Sequence, residues 1–176
     1  MTDRPTPPVT LVPMSAVAWT VFRERSVREY AQAKVQAGTW TSEQATELAA
    51  SELRELLPDG PSTAGHELRS VIAADCTVVG AVWLGPPRPG APGPCFVWDV
   101  HVEPAFRGRG YGRATMLAAE ALAGAHGCAG LGLHVFADNA VARALYRGLG
   151  YVETDVSMRK DLSLGPQGAG RTGGRM

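Results

Sequence analysis

Apolar residues recur along this chain with two different periods, and each change of period marks out an element. Residues 9–14 mix β-branched and apolar types without a helical repeat, as an edge strand does. A 3.6-residue repeat follows. Phe22, Ser26 and Tyr30 mark one face and Val27, Ala31 and Val35 another, with Gly38 ending the helix. Thr41 and Gln44 form a capping-box pattern, and Ala45, Leu48, Ala49, Leu53, Leu56 and Leu57 run as an apolar stripe to Pro58, which predicts a second helix. The Leu-Pro-Asp-Gly run at 57–60 turns the chain out.

The pattern then becomes β-rich. Residues 68–74 and 77–84 read as two strands of a hairpin around Asp75-Cys76, a turn without the usual glycine. The proline- and glycine-rich stretch 85–94 predicts a surface loop with a mobile tip. Residues 95–102 form the next strand, closed by Pro104, which has no N–H for a ladder. From Gly112 onward, Ala114, Leu117, Ala118, Ala121, Leu122 and Ala125 return to the helical period. A buried strand is predicted over 131–136, a helix over 139–151 closed by Gly150, and a final strand over 152–160. These elements make one domain over residues 9–162, between a flexible N-terminus at 1–8 and a glycine-rich tail at 163–176 expected to be disordered.

Composition narrows the partners. The 176 residues, 45% of them hydrophobic, suffice for one sizeable core but are short for two domains. Seventeen basic and 17 acidic residues cancel, so no global field draws nucleic acid or an anionic membrane, and neither is an expected partner. The start has no signal-peptide pattern and no apolar run reaches membrane-spanning length, so a cytoplasmic location is expected. Cys76, Cys95 and Cys128 are odd in number and lack close pairing, which argues against a disulfide framework or a zinc site, and for a reducing compartment without a bound metal.

The stretch that carries chemistry is Arg107-Gly108-Arg109-Gly110-Tyr111-Gly112, between a strand and a helix. Three glycines let backbone N–H groups converge on one point, and the unsatisfied first-turn N–H groups of the helix add partial positive charge. Such a turn holds phosphate, and Arg107 and Arg109 can add charge-assisted bonds to a diphosphate. A P-loop is excluded because no Gly-Lys-Ser/Thr ending follows, and the glycine spacing is not the Rossmann one. Further on, Asn139 and Tyr146 lie seven residues apart, close to two helical turns or about 10 Å along the axis, so both can face one elongated ligand. Taken singly, Asn139 reads equally as a helix N-cap and Tyr146 as a core aromatic.

The Arg-x-x-Gly-x-Gly pattern at Arg107, Gly110 and Gly112, followed by Asn-x-x-Ala-x-x-x-Tyr-x-x-x-Gly-Tyr from Asn139, resembles the GCN5-related N-acetyltransferase (GNAT) family. The resemblance covers residues 9–162 and implies a single-domain α/β fold, a mixed central sheet with splayed parallel strands flanked by helices. It implies an acetyl-CoA-dependent N-acetyltransferase that passes an acetyl group to a primary amine by direct attack in a ternary complex. The acceptor is expected to be a small molecule. An acceptor amino group on a protein or peptide, and a non-catalytic acyl-CoA-binding module on the same fold, are the alternatives, and a homodimer is an open option.

By the same resemblance, the cofactor-binding residues are Val100, Val102, Arg107, Gly108, Arg109, Gly110, Tyr111, Gly112, Asn139 and Tyr146. Backbone groups at Val100 and Val102, left unpaired by the splay, would bond the pantetheine arm, with a backbone N–H near Val100 or His101 as the oxyanion donor. Tyr146 would protonate the leaving thiolate. For removing a proton from the acceptor ammonium, Asp99 is the first choice among Asp99, His101, Glu103 and His134. The glutamate base of some members aligns with Phe96, so that role does not carry over.

Overall fold

The computed structural model describes residues 6–86 and 95–158. Its element order is β1 (Val9–Pro13), α1 (Ala16–Gln36), α2 (Ser42–Leu56), β2 (Glu67–Ala73), β3 (Val78–Gly85), β4 (Cys95–Val102), α3 (Tyr111–Ala125), β5 (Leu131–Leu133) and α4 (Ala140–Gly148). The strands form one mixed sheet in the order β1-β2-β3-β4-β5, antiparallel throughout except that β4 and β5 run parallel.

Local chemistry explains the boundaries. The Ser15 hydroxyl accepts the Ala18 N–H and starts α1, and Gly38, at φ +68°, follows its end. Thr41 is the N-cap of α2, but its side chain does not cap the backbone, so the capping box read in the sequence is not formed. In the β2–β3 turn Cys76 takes the left-handed conformation at φ +65°, and the Asp75 carboxylate accepts the Thr77 N–H. This Asx-type bond replaces the missing glycine.

The sheet is covered on both faces. On one, α3 packs Met116 and Ala119 against Val71, Val79, Val82 and Val97, five of these six having no more than 0% exposure. Burying each such Val or Met side chain is worth about 1.5–3 kcal/mol, so this face is the main stabilising core. On the other face Phe22 of α1 and Leu53 of α2 meet Met14, Leu57, Leu68 and Trp83. The two helices meet each other through Ala31, Ala45 and Ala49.

Four further sequence expectations need correction. Residues 152–158 carry no strand; β5 already ends at Leu133, which leaves no long neighbouring edge on that side to pair with. The strand predicted over 131–136 is therefore only three residues long, because parallel pairing with β4 stops at Val97 and Leu133. Helix α3 begins at Tyr111 rather than Gly112, with Gly110 as its N-cap. Cys95 and Cys128 are joined in a disulfide, their Cα atoms 6.0 Å apart. Parallel pairing sets Cys95 beside Leu131, three residues beyond Cys128. That proximity is tertiary and leaves no trace in a separation of 33 residues. The expected disordered tail at 163–176 and the tip of the 85–94 loop lie outside the described residues, as do residues 159 and 160 of the last predicted strand and residues 1–5.

Candidate active site

Two irregularities open β4. Trp83 pairs with Asp99 and Leu84 with Val97, so Trp98 is an extra residue, a bulge that re-aims the strand beyond it. On the other side the ladder to β5 stops at Val97 and Leu133. Beyond that point the parallel strands part, and a cleft of about 160 Å³ lies between them, lined by Trp98, Asp99, Val100, His134, Asn139 and Tyr146 among others. Because of the bulge, Trp98 and Asp99 both relate to the α1–α2 side. Trp98 stacks on Trp83 with ring centroids 5.1 Å apart, and Asp99 reaches Arg25 of α1.

The glycine loop follows β4 through a single 3₁₀ turn, Pro104–Phe106. Gly110 stands at φ +89° and has no side chain over the first turn of α3, which leaves the helix N-terminus bare of any capping side chain. An added Cβ at Gly112 would meet Leu145 Cδ2 at 3.3 Å and Val102 Cγ2 at 3.9 Å, so glycine here lets α3 sit tightly against β4 and α4. Arg109 is exposed and lies over the Phe106 ring at 5.8 Å, while Phe106 meets Tyr111 edge-on. Arg107 turns back: its Nε donates to the Val102 carbonyl at 2.9 Å. The Val102 carbonyl expected to be unpaired thus has a protein partner. Bare helix N–H groups behind a turn free of side chains, flanked by an exposed arginine, fit a diphosphate.

On α4, both sequence readings of Asn139 hold together. Its side chain caps the helix by accepting the Ala142 N–H at 3.1 Å, and it also lines the cleft. Tyr146 is 8% exposed and lines the same cleft, its ring 5.8 Å from that of Tyr151. Burial, and then the Asp99 charge, push its phenol above the ordinary value, so it stays protonated at neutral pH. His134 is exposed against Phe136. His101 is more enclosed, with Nε2 3.6 Å from Glu103 Oε1; desolvation, then the nearby Arg25 charge, hold it below the ordinary histidine value.

The residue that sequence reasoning missed is Arg25. It is 9% exposed, donates to Asp99 and to Glu29 Oε2 at 3.0 Å, and sits over the Phe22 ring at 5.3 Å. Its signal was present: it stands three residues after Phe22, on the stripe that α1 buries.

The sequence matches the family described as "Acetyltransferase (GNAT) family" over residues 28–151. It is 34% identical, over 88% of its length and 99% of the relative's, to YycN of Bacillus subtilis strain 168, described as an uncharacterized N-acetyltransferase. The crystal structure of that protein superposes with a TM-score of 0.78, at 35% identity, covering 88% of this chain and 98% of the other. A more distant fold relative is an aminoglycoside 6′-N-acetyltransferase of Acinetobacter baumannii, at 15% identity and a TM-score of 0.51, covering 89% and 99%. The chain belongs to the GNAT acetyltransferase family and is a GNAT-type N-acetyltransferase. This family uses acetyl-CoA as cosubstrate. Among the described residues no group of His, Cys, Asp and Glu is placed to hold a metal ion, and no helix is long and apolar enough to cross a membrane.

Proposed function

We propose that this protein transfers the acetyl group of acetyl-CoA to a primary amine of a small molecule by direct attack within a ternary complex. The observation that carries the reading is the cleft itself: strand edges left open beyond Val97 and Leu133, with buried Tyr146 in the wall and the glycine loop at the end of β4. The open β4 edge suits the amides of a pantetheine arm, and the bare N-terminus of α3 with Arg109 suits the diphosphate. Acetyl transfer then needs three things of the protein. A backbone N–H near Val100 or His101 stabilises the oxyanion, a carboxylate or imidazole takes the proton lost by the amine, and an acid protonates the departing sulfur. Tyr146, kept protonated by its surroundings, is the acid. Asp99, lining the cleft, is the first choice for the proton acceptor, directly or through water.

The experiment is a screen for free-thiol release from acetyl-CoA over amines, polyamines, amino acids and peptides. Turnover with a small amine is the expected result. Release with peptides alone would replace the small-molecule acceptor, and binding of acetyl-CoA with no release to any acceptor would replace the transfer reading.

A further inference from the structure

Helix α1 sends one charged side chain to β4, onto the Asp99 carboxylate that lines the cleft. Arg25 is nine-tenths buried, and its two terminal nitrogens are divided between carboxylates on different elements: Nη1 to Glu29 of α1 and Nη2 to Asp99 of β4. The Phe22 ring below fixes the plane of the guanidinium. A fork held on three sides cannot swing away, so the carboxylate it grips is held in one rotamer. Asp99 is itself a cleft residue, about a quarter exposed, standing where β4 bulges.

We propose that Arg25 is a positioning residue of the acetyl-transfer site, which fixes the Asp99 carboxylate and sets the charge on the acceptor side of the cleft. The assignment rests on the acetyl-transfer reading above, but its physical content can be read without turnover. The reporter is His101, on the same strand two residues from Asp99. The charged and titratable groups that face it are Arg25 and Glu29 from α1, with Asp99 and Glu103 from β4 and the residue after it; Tyr146 of α4 faces Asp99 in turn. Arg25 disfavours the imidazolium, whereas Glu103, Asp99 and Glu29 favour it. Taking away the guanidinium therefore raises the His101 midpoint, and taking away the Asp99 charge lowers it. A residue that merely ties α1 to the sheet would change melting temperature and leave kcat/KM for the amine where it is.

The test is an NMR titration of the full chain with labelled histidines, in the parent and in Arg25→Met, Arg25→Lys and Asp99→Asn. In Arg25→Met the His101 midpoint is expected to rise, while that of His66, held down by burial alone, stays in place. Lysine, which keeps the charge without the fork, is expected to return the midpoint toward the parent. Asp99→Asn is expected to lower it. Acetyl-CoA affinity by calorimetry should stay within about twofold in the arginine variants, since the phosphate-binding loop is untouched. In turnover, Arg25→Met should lower kcat/KM for the amine, Arg25→Lys should restore part of it, and the losses of Arg25→Met and Asp99→Asn should not add in the double variant. An unmoved His101 in a folded Arg25→Met protein overturns the proposal, as do additive losses. Should Arg25→Met fail to fold, Asp99→Asn decides, and an unmoved midpoint there also overturns it. If the parent acetylates no amine, the proposed reaction falls, and the histidine titration still decides what Arg25 does.

Discussion

On the α3 side of β4 the site is made of backbone, whereas on the α1 side it is made of charged side chains. Toward α3, open strand edges, positive-φ glycines and a bare helix N-terminus offer N–H groups whose directions are set by the fold. Toward α1, Arg25, Glu29, Asp99, His101 and Glu103 form a network of charges that depends on which side chains occupy a few helix and strand positions. For the proposed reaction, with the cofactor toward α3 and the acceptor toward α1, the difference matches the demands on each side. A diphosphate and a pantetheine arm are the same for every acyl-CoA, so a backbone frame can serve them all. An acceptor amine is particular, and side chains can be exchanged without rebuilding the sheet. Tyr146 stands between the two sides, and changing it should have the largest effect.

Tyr146→Phe keeps the ring and loses the proton. If the phenol is the acid for the departing sulfur, saturating turnover should fall about 10²–10⁴-fold while acetyl-CoA affinity and melting temperature stay close to those of the parent. Free-thiol release beside calorimetry checks this. A phenylalanine variant with full turnover and a lowered melting temperature would make Tyr146 a packing residue and leave the boundary between the two sides without its acid.

The backbone side is tested next. Valine at Gly110 must adopt φ near +89°, a conformation costing a β-branched residue roughly 1–3 kcal/mol, and it puts a side chain over the bare N–H groups of α3. Gly110→Val should therefore lower acetyl-CoA affinity at least about tenfold in a protein that still folds. Arg109→Ala removes an exposed guanidinium beside the same point and should cost about 1.5–3 kcal/mol of binding if it bonds phosphate. Unchanged affinity in both variants would detach the loop from the cofactor.

The same contrast explains what is legible in the sequence alone. The bounds of β4, the glycine loop and the Asn139-to-Tyr146 spacing were legible because backbone constraints leave a mark in residue type: proline ends a strand, and glycine sits where Cβ cannot. What escaped was tertiary. The Trp98 bulge has no glycine to announce it, and the early end of β5 depends on how far two strands stay parallel. The Cys95–Cys128 bond depends on that same parallel pairing. Arg25 is not legible as a site residue because a charged residue on a helix is usually solvated, and its burial is offset by Asp99, 74 residues away, as well as by Glu29 one turn on.

The side-chain half can be sharpened by pH. His101 is held below the ordinary histidine value, so if its neutral form is needed, the acidic limb of kcat/KM should fall below the usual histidine midpoint of about 6.5. Asp99 favours the imidazolium, and its neutralisation in Asp99→Asn should then move the limb to still lower pH with modest loss of rate. If instead Asp99 takes the proton itself, the same variant should lose most of its turnover across the whole range. His134 is exposed against Phe136 on the β5 side of the cleft, and His134→Gln should leave the limb in place. A limb that moves in His134→Gln alone would transfer the proton to the β5 side of the cleft.

The smallest effect is expected at Arg107, where the two kinds of construction meet in one residue. It stands first in the glycine motif and carries a charge, yet its Nε is bonded to the carbonyl that ends β4, so part of its work is that of a strand cap. Arg107→Ala removes a bond in an exposed setting, worth about 0.5–1.5 kcal/mol, which in a chain of this length lowers the melting temperature by roughly 2–4 °C per kcal/mol. Acetyl-CoA affinity should fall by only a few-fold, less than in Arg109→Ala, because the loop backbone proposed to meet the diphosphate remains. Arg107→Lys should not restore the melting temperature, since lysine has no Nε–H in the plane of a fork to offer the Val102 carbonyl. Thermal melting and calorimetry on the three proteins separate the two contributions. An alanine variant that melts like the parent but loses as much affinity as Arg109→Ala would show that the guanidinium serves the phosphate and that its bond to β4 gives way when the cofactor arrives.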